Sequence, residues 1–211
     1  MKVLGRPTGG DNLAGARRRP IARRIPAILV AFACVTLAPG AVDAQIETKS
    51  EYRVKAWYLA NFSKFVEWPE KAFRSPDAPF VIGVVGGYFL GPSLFQAIAK
   101  QTARGRKIEV RWEMGKKTDE ELRECQILFI SGQDRKRLAQ ILGALQGASV
   151  LVVGEADGFL QAGGMINFVL ENDKVRFEIN SDAAARAGLK LSSQLLATAR
   201  NILASPAAPK S

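Results

Sequence analysis

Three runs of uninterrupted apolar residues constrain the fold of this chain more than any other feature, and the last of them covers residues 150–153. The first two are Phe80–Val85 and Ile127–Ile130. A strand that faces solvent on one side alternates apolar and polar residues, whereas a strand covered on both faces does not. The runs therefore predict central strands of a sheet with helices on both sides. Residues 107–114 alternate charged and apolar side chains, which predicts an edge strand with one wet face.

Helical patterns lie between these strands. Gly91-Pro92 precedes one apolar stripe, where proline suits the first turn of a helix. Residues 138–145 carry a second stripe, and Gly147 ends it. Alternating strands and helices predict an α/β fold: a single compact domain with an open, mostly parallel sheet and right-handed crossovers.

The carboxyl-terminal part predicts an antiparallel hairpin. Residues 165–171 and 174–179 flank Asn172-Asp173, which tolerate the positive φ angles of a tight turn. Pairing about this turn places three apolar pairs on one face: Leu170 with Val175, Phe168 with Phe177, and Ile166 with Ile179. The opposite face is polar, so a slip of one residue would invert every position.

A long helix is expected to open the mature domain. Thr48 and Glu51 have the spacing of a capping box. The apolar stripe that follows consists of Val54, Trp57, Tyr58, Phe62, Phe65 and Val66. Asn61 interrupts this stripe. It is either a buried polar group with satisfied hydrogen bonds or a residue that contacts a partner.

The domain is expected to end in helical structure. Asp182 is a candidate cap for a short helical turn, and the leucine spacing of residues 195–203 predicts a closing helix. Residues 205–211 predict a disordered tail.

Residues 1–44 have the pattern of a secretory signal peptide. Basic residues precede an apolar run at 25–37, and small residues stand at Val42 and Ala44 before Gln45. The run is shorter than the ~20 apolar residues of a transmembrane helix. The pattern predicts export to the periplasm and a mature domain at 45–204 without a transmembrane span. Two alternatives remain open: a twin-arginine signal, and a lipoprotein signal ending at Cys34.

The charge and the residue types exclude several classes of function. The net charge is +10, but the signal segment holds seven basic residues against two acidic ones, and export argues against nucleic acid as a partner. The chain has no histidine, which excludes Ser-His-Asp and Cys-His catalysis and histidine metal ligands. The sequence therefore predicts no catalytic residue, no metal site and no cofactor.

Loss of the signal segment would leave Cys125 as the one cysteine, so no internal disulfide is expected. Cys125 precedes its strand, at the end of the sheet opposite the expected ligand crevice. It is either a buried inert thiol or an exposed thiol open to redox chemistry or intermolecular pairing.

Ligands of open α/β sheets bind beyond the carboxyl ends of the strands. The residues at those positions are Gly86, Gly87, Ser131 and Glu155. The two glycines could let backbone N–H groups approach an anion, or they are plain turn residues. This crevice is the basis of an alternative function, a periplasmic small-ligand-binding protein.

Six stretches in order resemble the YfiR family of periplasmic proteins: YRVKAWYLANFSKFVEWP, APFVIGVVG, CQILFIS, VLVVGEADGF, GGMINFVLEN and VRFEINSDAAARAGLKLSSQLL. The resemblance extends from about Glu51 to Leu203. It implies a compact periplasmic α/β domain, often dimeric, that is not an enzyme. The family's named member represses an inner-membrane diguanylate cyclase by binding its periplasmic sensor part, and stress or redox change releases it.

This sequence departs from the redox-sensing member, whose further cysteines form a disulfide near the end of the domain. Residues 165–170 contain no cysteine, and only Cys125 fits a recurring position. The leading hypothesis is a non-catalytic regulator that binds the periplasmic region of a membrane signalling protein. The candidate contact residues are Trp57, Asn61, Gly163, Gly164, Met165, Asn167, Arg176 and Glu178. The two glycines have a second interpretation, which the sequence favours, as residues required by the backbone geometry before the hairpin.

Overall fold

The computed structural model describes residues 40–87, 90–98 and 101–203, without the side chains of residues 40–49, 95 and 133–135. Most of the predicted signal segment and the predicted tail lie outside these ranges. The described helices are α1 (Gly40–Phe65), α2 (Gly91–Ile98), α3 (Asp119–Arg123), α4 (Leu138–Ala144), α5 (Ser181–Arg186) and α6 (Ser193–Thr198). The described strands are β1 (Val66–Glu67), β2 (Phe80–Val85), β3 (Thr102–Ala103), β4 (Arg106–Arg111), β5 (Ile127–Ile130), β6 (Leu151–Gly154), β7 (Ile166–Glu171), β8 (Lys174–Asn180), β9 (Lys190–Leu191) and β10 (Asn201–Leu203).

The apolar runs form the centre of the sheet. Every residue of β2, β5 and β6 is buried, and β5 pairs in parallel with both β2 and β6. The third strand begins one residue later than predicted, at Leu151. Continuous apolar sequence was therefore a correct sign of strands covered on both faces.

The main sheet has the strand order β10-β8-β7-β6-β5-β2-β4-β3. Its pairs are parallel except for β7 with β8 and β3 with β4, and a separate two-stranded sheet joins β1 to β9. The predicted α/β fold, a single domain with a mostly parallel sheet, flanking helices and an antiparallel hairpin, is confirmed.

The hairpin has the predicted register throughout. β7 and β8 pair Ile166 with Ile179 at one end and Glu171 with Lys174 at the other. Asn172 and Asp173 have φ angles of 49° and 58°, as a tight turn between two strands requires. The register follows from the period of two on both strands, because a slip would bury the polar face.

The alternating segment forms β4, which lies next to the edge rather than at it. The two-residue strand β3 pairs with its outer side. β4 ends at Arg111, earlier than predicted, because Glu113 adopts a left-handed conformation and a 3-10 turn follows at Met114–Lys116.

The first helix differs from its prediction at its start and in the face that it buries. α1 begins at Gly40, so Thr48 lies inside the helix and does not cap it. Phe62 and Val66 of the predicted stripe are buried, but Val54 and Trp57 are exposed, and Ala56 and Leu59 are fully buried in addition. The apolar stripe was placed on large side chains alone, and the buried alanines shift it around the helix.

The carboxyl-terminal segment is strand where a helix was predicted. α6 ends at Thr198, and residues 201–203 form β10, which pairs in parallel with β8. The short helix before it is capped by Asn180, whose side chain accepts the N–H of Ala183 at 2.9 Å, and not by Asp182. Leucines at this spacing are compatible with a helix or with a strand. The segment forms a strand because it pairs with the edge of β8, which has no other partner on that side among the described strands.

Candidate interaction groove and strand-end cluster

α1 packs on the hairpin through aromatic side chains. Tyr58 and Phe62 of the helix meet Phe168 and Phe177 of β7 and β8, with ring centroids 5.3–6.0 Å apart. Edge-to-face and offset ring pairs at these distances add to the energy of burial. The contact fixes α1 on the apolar face of the hairpin.

An apolar groove, which we call the α1–α6 groove, lies beside this contact. It has a volume of about 230 Å³ and is lined by Trp57, Tyr58, Asn61, Phe62, Phe65, Phe177, Gln194, Leu195 and Thr198. Trp57 is 55% exposed on the wall of the groove, although its ring packs edge-on against Tyr58 at 5.3 Å. A tryptophan of this exposure beside an apolar depression is typical of a surface that binds another molecule.

Asn61 is a buried polar residue whose hydrogen bonds lie within α1. Its amide N–H donates to the carbonyl of Trp57 at 2.7 Å, and its side-chain oxygen accepts from Lys64 at 2.7 Å. Both hydrogen bonds join it to its own helix, in agreement with the first of its two sequence readings. Asn61 also lines the α1–α6 groove beside Trp57, so these two candidate contact residues lie on one surface.

A second group, the strand-end cluster, lies where β5 and β6 end. Glu155 follows β6, and its Oε2 accepts from the ammonium group of Lys55 at 2.6 Å. Lys55 also contacts Glu51, one turn earlier on α1. The side chains of Lys55 and Glu155 are only 6% and 8% exposed. A buried lysine therefore lies between two carboxylates, which is the pairing that a buried charge requires.

The other oxygen of Glu155 binds three groups of different elements. Oε1 accepts from the Tyr52 hydroxyl at 3.2 Å, the Ser131 hydroxyl at 3.1 Å and the Gly132 backbone N–H at 3.2 Å. Burial and the neighbouring charge of Glu155 raise the pKa of Tyr52, which therefore stays a neutral donor. The carboxylate joins α1 to the ends of β5 and β6.

The predicted ligand crevice is covered by the protein's own helix at this position. Ser131 and Glu155 come together as expected, but Tyr52 and Lys55 lie on them. Gly86 and Gly87 have φ angles of 67° and 63°, so they form a turn in a backbone conformation that other residues rarely adopt. The α1–α6 groove and the three other large cavities considered among the described residues are lined by other side chains than these predicted crevice residues.

Gly163 and Gly164 shape the backbone before β7. A side-chain carbon at Gly164 would lie 2.1 Å from the ring of Phe159, and Gly163 has a φ angle of 105°. Met165 is 7% exposed and lines a separate cavity of about 510 Å³ with Leu142. These three predicted contact residues therefore have packing and backbone roles here, and they do not line the α1–α6 groove.

The polar residues of the hairpin lie on the face turned away from α1, because neighbouring strand residues point in opposite directions. Asn167 is buried, and its side-chain oxygen accepts the N–H of Ala156 at 3.1 Å. Glu178 pairs with Arg200 at 3.3 Å, whereas Arg176 is exposed. The structure therefore does not bring these three predicted contact residues to the surface that carries Trp57.

Cys125 lies buried at the opposite edge of the sheet, 1% exposed. Its thiol is 3.9 Å from the carbonyl of Glu121, and burial raises the thiol pKa to about 12. The reading of Cys125 as a buried thiol is confirmed. Within the described ranges, no three His, Cys, Asp or Glu side chains form a group that could hold a metal, and no helix has the length and apolar character to cross a membrane.

The arrangement of α1, the hairpin and the strand ends lies within a segment that matches a known family model. The model described as YfiR/HmsC-like matches residues 52–200. The chain belongs to this family. The match begins at Tyr52 of the strand-end cluster and includes the whole α1–α6 groove.

Two solved structures resemble this YfiR/HmsC-like chain in part. A conserved domain protein from Vibrio cholerae O1 biovar eltor is 16% identical, with a TM-score of 0.45 over 58% of this chain and 54% of the other. The ABC domain from Streptococcus pneumonia, solved in complex with L-Trp, is 10% identical, with a TM-score of 0.48 over 68% and 61%. The chain thus spans less than two thirds of either protein, and neither similarity bears on function.

Sequence reasoning missed the residues of α1 that complete the strand-end cluster. Glu51 and Lys55 are one helical turn apart, a spacing that indicates an ion pair, but such pairs mostly lie in solvent. Tyr52 has no distinguishing pattern. The available signal was the position of Glu155 at the end of a strand. A carboxylate buried there would require a cation beside it.

Proposed function

We propose that this protein is an exported regulator that binds the periplasmic part of an inner-membrane signalling protein, a diguanylate cyclase, and represses it. Membership of the YfiR/HmsC-like family suggests a periplasmic regulator of cyclic-di-GMP signalling. The signal-peptide pattern of residues 1–44 supports export. Binding would be the whole of its action, since the sequence has no catalytic constellation.

The observation that carries the proposal is the exposure of Trp57 on the α1–α6 groove. Buried aromatic anchors contribute most of the energy of protein interfaces, and tryptophan is foremost among them. Trp57 stands on a helix that the aromatic cluster and the strand-end cluster hold in place. A docking surface that is already rigid loses little entropy on binding.

The groove fits an apolar side chain of the partner. Phe62, Phe65 and Leu195 line it, and the polar side chains of Asn61, Gln194 and Thr198 surround them. An apolar centre with a polar rim is the usual composition of a protein interface. The partner is therefore expected to insert an aromatic or aliphatic residue next to Trp57.

The test compares two variants that introduce the same charge. Trp57→Lys places an ammonium group on the groove. Leu203→Lys places one on an apolar residue of similar exposure in β10, which pairs with Asn180 and faces away from α1. Each tagged protein is expressed in a strain without the chromosomal copy. Proteins captured from detergent-solubilised membranes are identified, and cellular cyclic-di-GMP is measured.

We expect Trp57→Lys to lose the captured cyclase and to raise cyclic-di-GMP to the level of the deletion strain, whereas Leu203→Lys keeps both. Capture and repression by Trp57→Lys at the unsubstituted level would contradict the proposal. Light scattering of the purified proteins separates one further outcome. A change from dimer to monomer in Trp57→Lys alone would show that the groove holds a second copy of this chain instead.

The small-ligand alternative has less support. A ligand in the strand-end crevice would have to displace Lys55 and Tyr52 from Glu155, which costs the pairing of a buried charge. A thermal-shift screen of metabolites against the purified protein tests it, because a ligand that binds the folded state raises the unfolding temperature.

A further inference from the structure

A cavity at the amino-terminal edge of the sheet has the composition of an anion-binding site. It has a volume of about 320 Å³ and lies beside Val81 of β2 and Gln126 before β5, opposite the strand-end cluster. Its charged lining residues are Lys71, Arg74, Arg111, Arg123, Glu120 and Glu124. The four cations exceed the two carboxylates, so the lining has a net positive charge.

One carboxylate in the wall is saturated by two arginines. Arg74 contacts one oxygen of Glu124, and Arg111 donates to the other at 2.7 Å. Glu109 lies outside the lining and also binds Arg111, at 2.6 Å. Even with Glu109 counted, the cations of the wall outnumber these carboxylates by one. Each guanidinium has five N–H donors, so Arg74 keeps donors that can face the cavity.

The wall that carries the positive charges is held in place by the fold. Arg106 of β4 donates to the carbonyls of Ser75 and Ala78, at 3.1 and 2.6 Å, and its guanidinium lies 4.0 Å from the ring centre of Phe73. These contacts fix the segment that carries Lys71 and Arg74 to β4. A cavity with preset donors binds without ordering its own loop.

The floor of the cavity is held as well. The Gln126 side chain accepts the N–H of Val81 at 2.7 Å and donates to the carbonyl of Ala72 at 2.6 Å, while the Trp68 indole donates to the carbonyl of Gln126 at 3.0 Å. The remaining lining residues are apolar: Ala72, Phe73, Ala78, Pro79 and Val81. The cavity thus combines a basic mouth with an apolar floor, and its volume suits a small molecule rather than a flat surface.

We propose that this cavity binds a small organic anion, whose carboxylate or phosphate group is held by Lys71, Arg74 and Arg123 and whose apolar part lies against Phe73 and Pro79. Arginine is suited to both groups because its planar fork donates two parallel hydrogen bonds to their oxygens. The site is independent of the α1–α6 groove, which lies against the hairpin.

Phenyl phosphate, benzoate and uncharged benzamide serve as probes, titrated into the ¹⁵N-labelled protein. We expect the two anions to shift the backbone amide signals of Ala72, Phe73 and Ala78, and benzamide to bind at least about tenfold more weakly, since it lacks the charge-assisted hydrogen bonds. High salt is expected to weaken the anions and not benzamide.

The matched variants remove two positive charges or one. Arg74→Gln with Arg123→Gln changes two exposed residues and is expected to weaken phenyl phosphate at least about tenfold. Arg176→Gln, on the exposed face of the hairpin, is expected to leave its affinity unchanged. Equal binding of phenyl phosphate to the double variant and the unsubstituted protein would overturn the proposal, as would equal binding of benzoate and benzamide.

Two further titrations identify the source of the anion. Binding of inorganic phosphate with the same amide shifts supports a free anion as ligand. Sedimentation with phosphatidylglycerol vesicles that depends on Arg74 and Arg123, without amide shifts from phenyl phosphate, would overturn the cavity site in favour of a membrane surface.

Discussion

Ion pairs lie at both ends of the central strands, which we call the carboxyl edge and the amino edge of the sheet. The two ion pairs differ in their exposure to water. At the carboxyl edge, Lys55 and Glu155 are 6% and 8% exposed beneath α1. At the amino edge, Arg74 is 72% exposed and its partner Glu124 is 16% exposed. Desolvation makes a buried charge depend on its partner, whereas water replaces the partner of an exposed one. The ion pair at the carboxyl edge therefore attaches α1, whereas the ion pair at the amino edge remains accessible to a ligand.

Removal of the buried cation is expected to have the largest effect. Lys55→Met leaves the Glu155 carboxylate buried with no cation beside it in the cluster, and we expect a loss of about 3–5 kcal/mol in the free energy of unfolding. Denaturant unfolding followed by circular dichroism measures it. The double variant Lys55→Met with Glu155→Leu removes both charges and is expected to recover much of the loss, so an equally unstable double variant would disprove the buried-pair account.

Alkaline pH is expected to have the next effect, through the thiol at the amino edge. The folded-state pKa of Cys125 is about 12, whereas an unfolded thiol has a pKa of about 8.5. The folded state therefore keeps its proton longer, and stability that is fully present below pH 8.5 declines as the pH rises toward 12. We expect this thiol to contribute about 1.4 kcal/mol of the loss between pH 7 and pH 9.5.

Cys125→Ala serves as the control for that effect. The variant lacks the thiol and should show a shallower decline of the unfolding free energy over the same pH range. Equal slopes for the two proteins would show that the thiol is not held in a water-excluded site.

Removal of one neutral donor at the carboxyl edge is expected to cost less. Tyr52→Phe deletes the hydroxyl that donates to Glu155 and keeps the ring, so we expect a loss of about 1 kcal/mol. Denaturant unfolding at neutral pH is again the measurement. A loss as large as that of Lys55→Met would mean that the hydroxyl, and not the ammonium group, carries the contact.

The exposed pair is expected to have the smallest effect on stability. Arg74→Ala removes a contact in water, and we expect a change within about 0.5 kcal/mol that vanishes at high salt. A loss above 1 kcal/mol would show that the two edges do not differ as their exposures indicate.

The central strands and the hairpin were predictable from sequence because each has one dominant periodicity. β2 and β5 have no polar residue, and the hairpin register is fixed by the alternation on both sides of Asn172-Asp173. β10 was mistaken for helix, since its few residues have no pattern of their own and form a strand only beside β8.

The candidate sites were predictable to a smaller degree. The sequence places Trp57 and Asn61 one turn apart on one helix, but the groove that both line also needs α6, which the sequence did not place beside them. Lys55 was missed because lysine is almost never fully buried without a partner, and its partner Glu155 lies a hundred residues away in the sequence. For Gly164 the sequence left open a contact role and a backbone role, because the ring of Phe159 that excludes a side chain there is a tertiary feature.

The packing of α1 on the hairpin has a consequence for the order of folding. Tyr58 and Phe62 belong to α1, whereas Phe168 and Phe177 belong to β7 and β8, more than a hundred residues later in the sequence. Contacts between distant segments form slowly, and apolar surfaces that wait for them attract other chains. Under the export that we propose, the aromatic face of α1 would cross the membrane before the strands of the hairpin on which it packs. We expect a periplasmic chaperone to hold that face until β8 arrives.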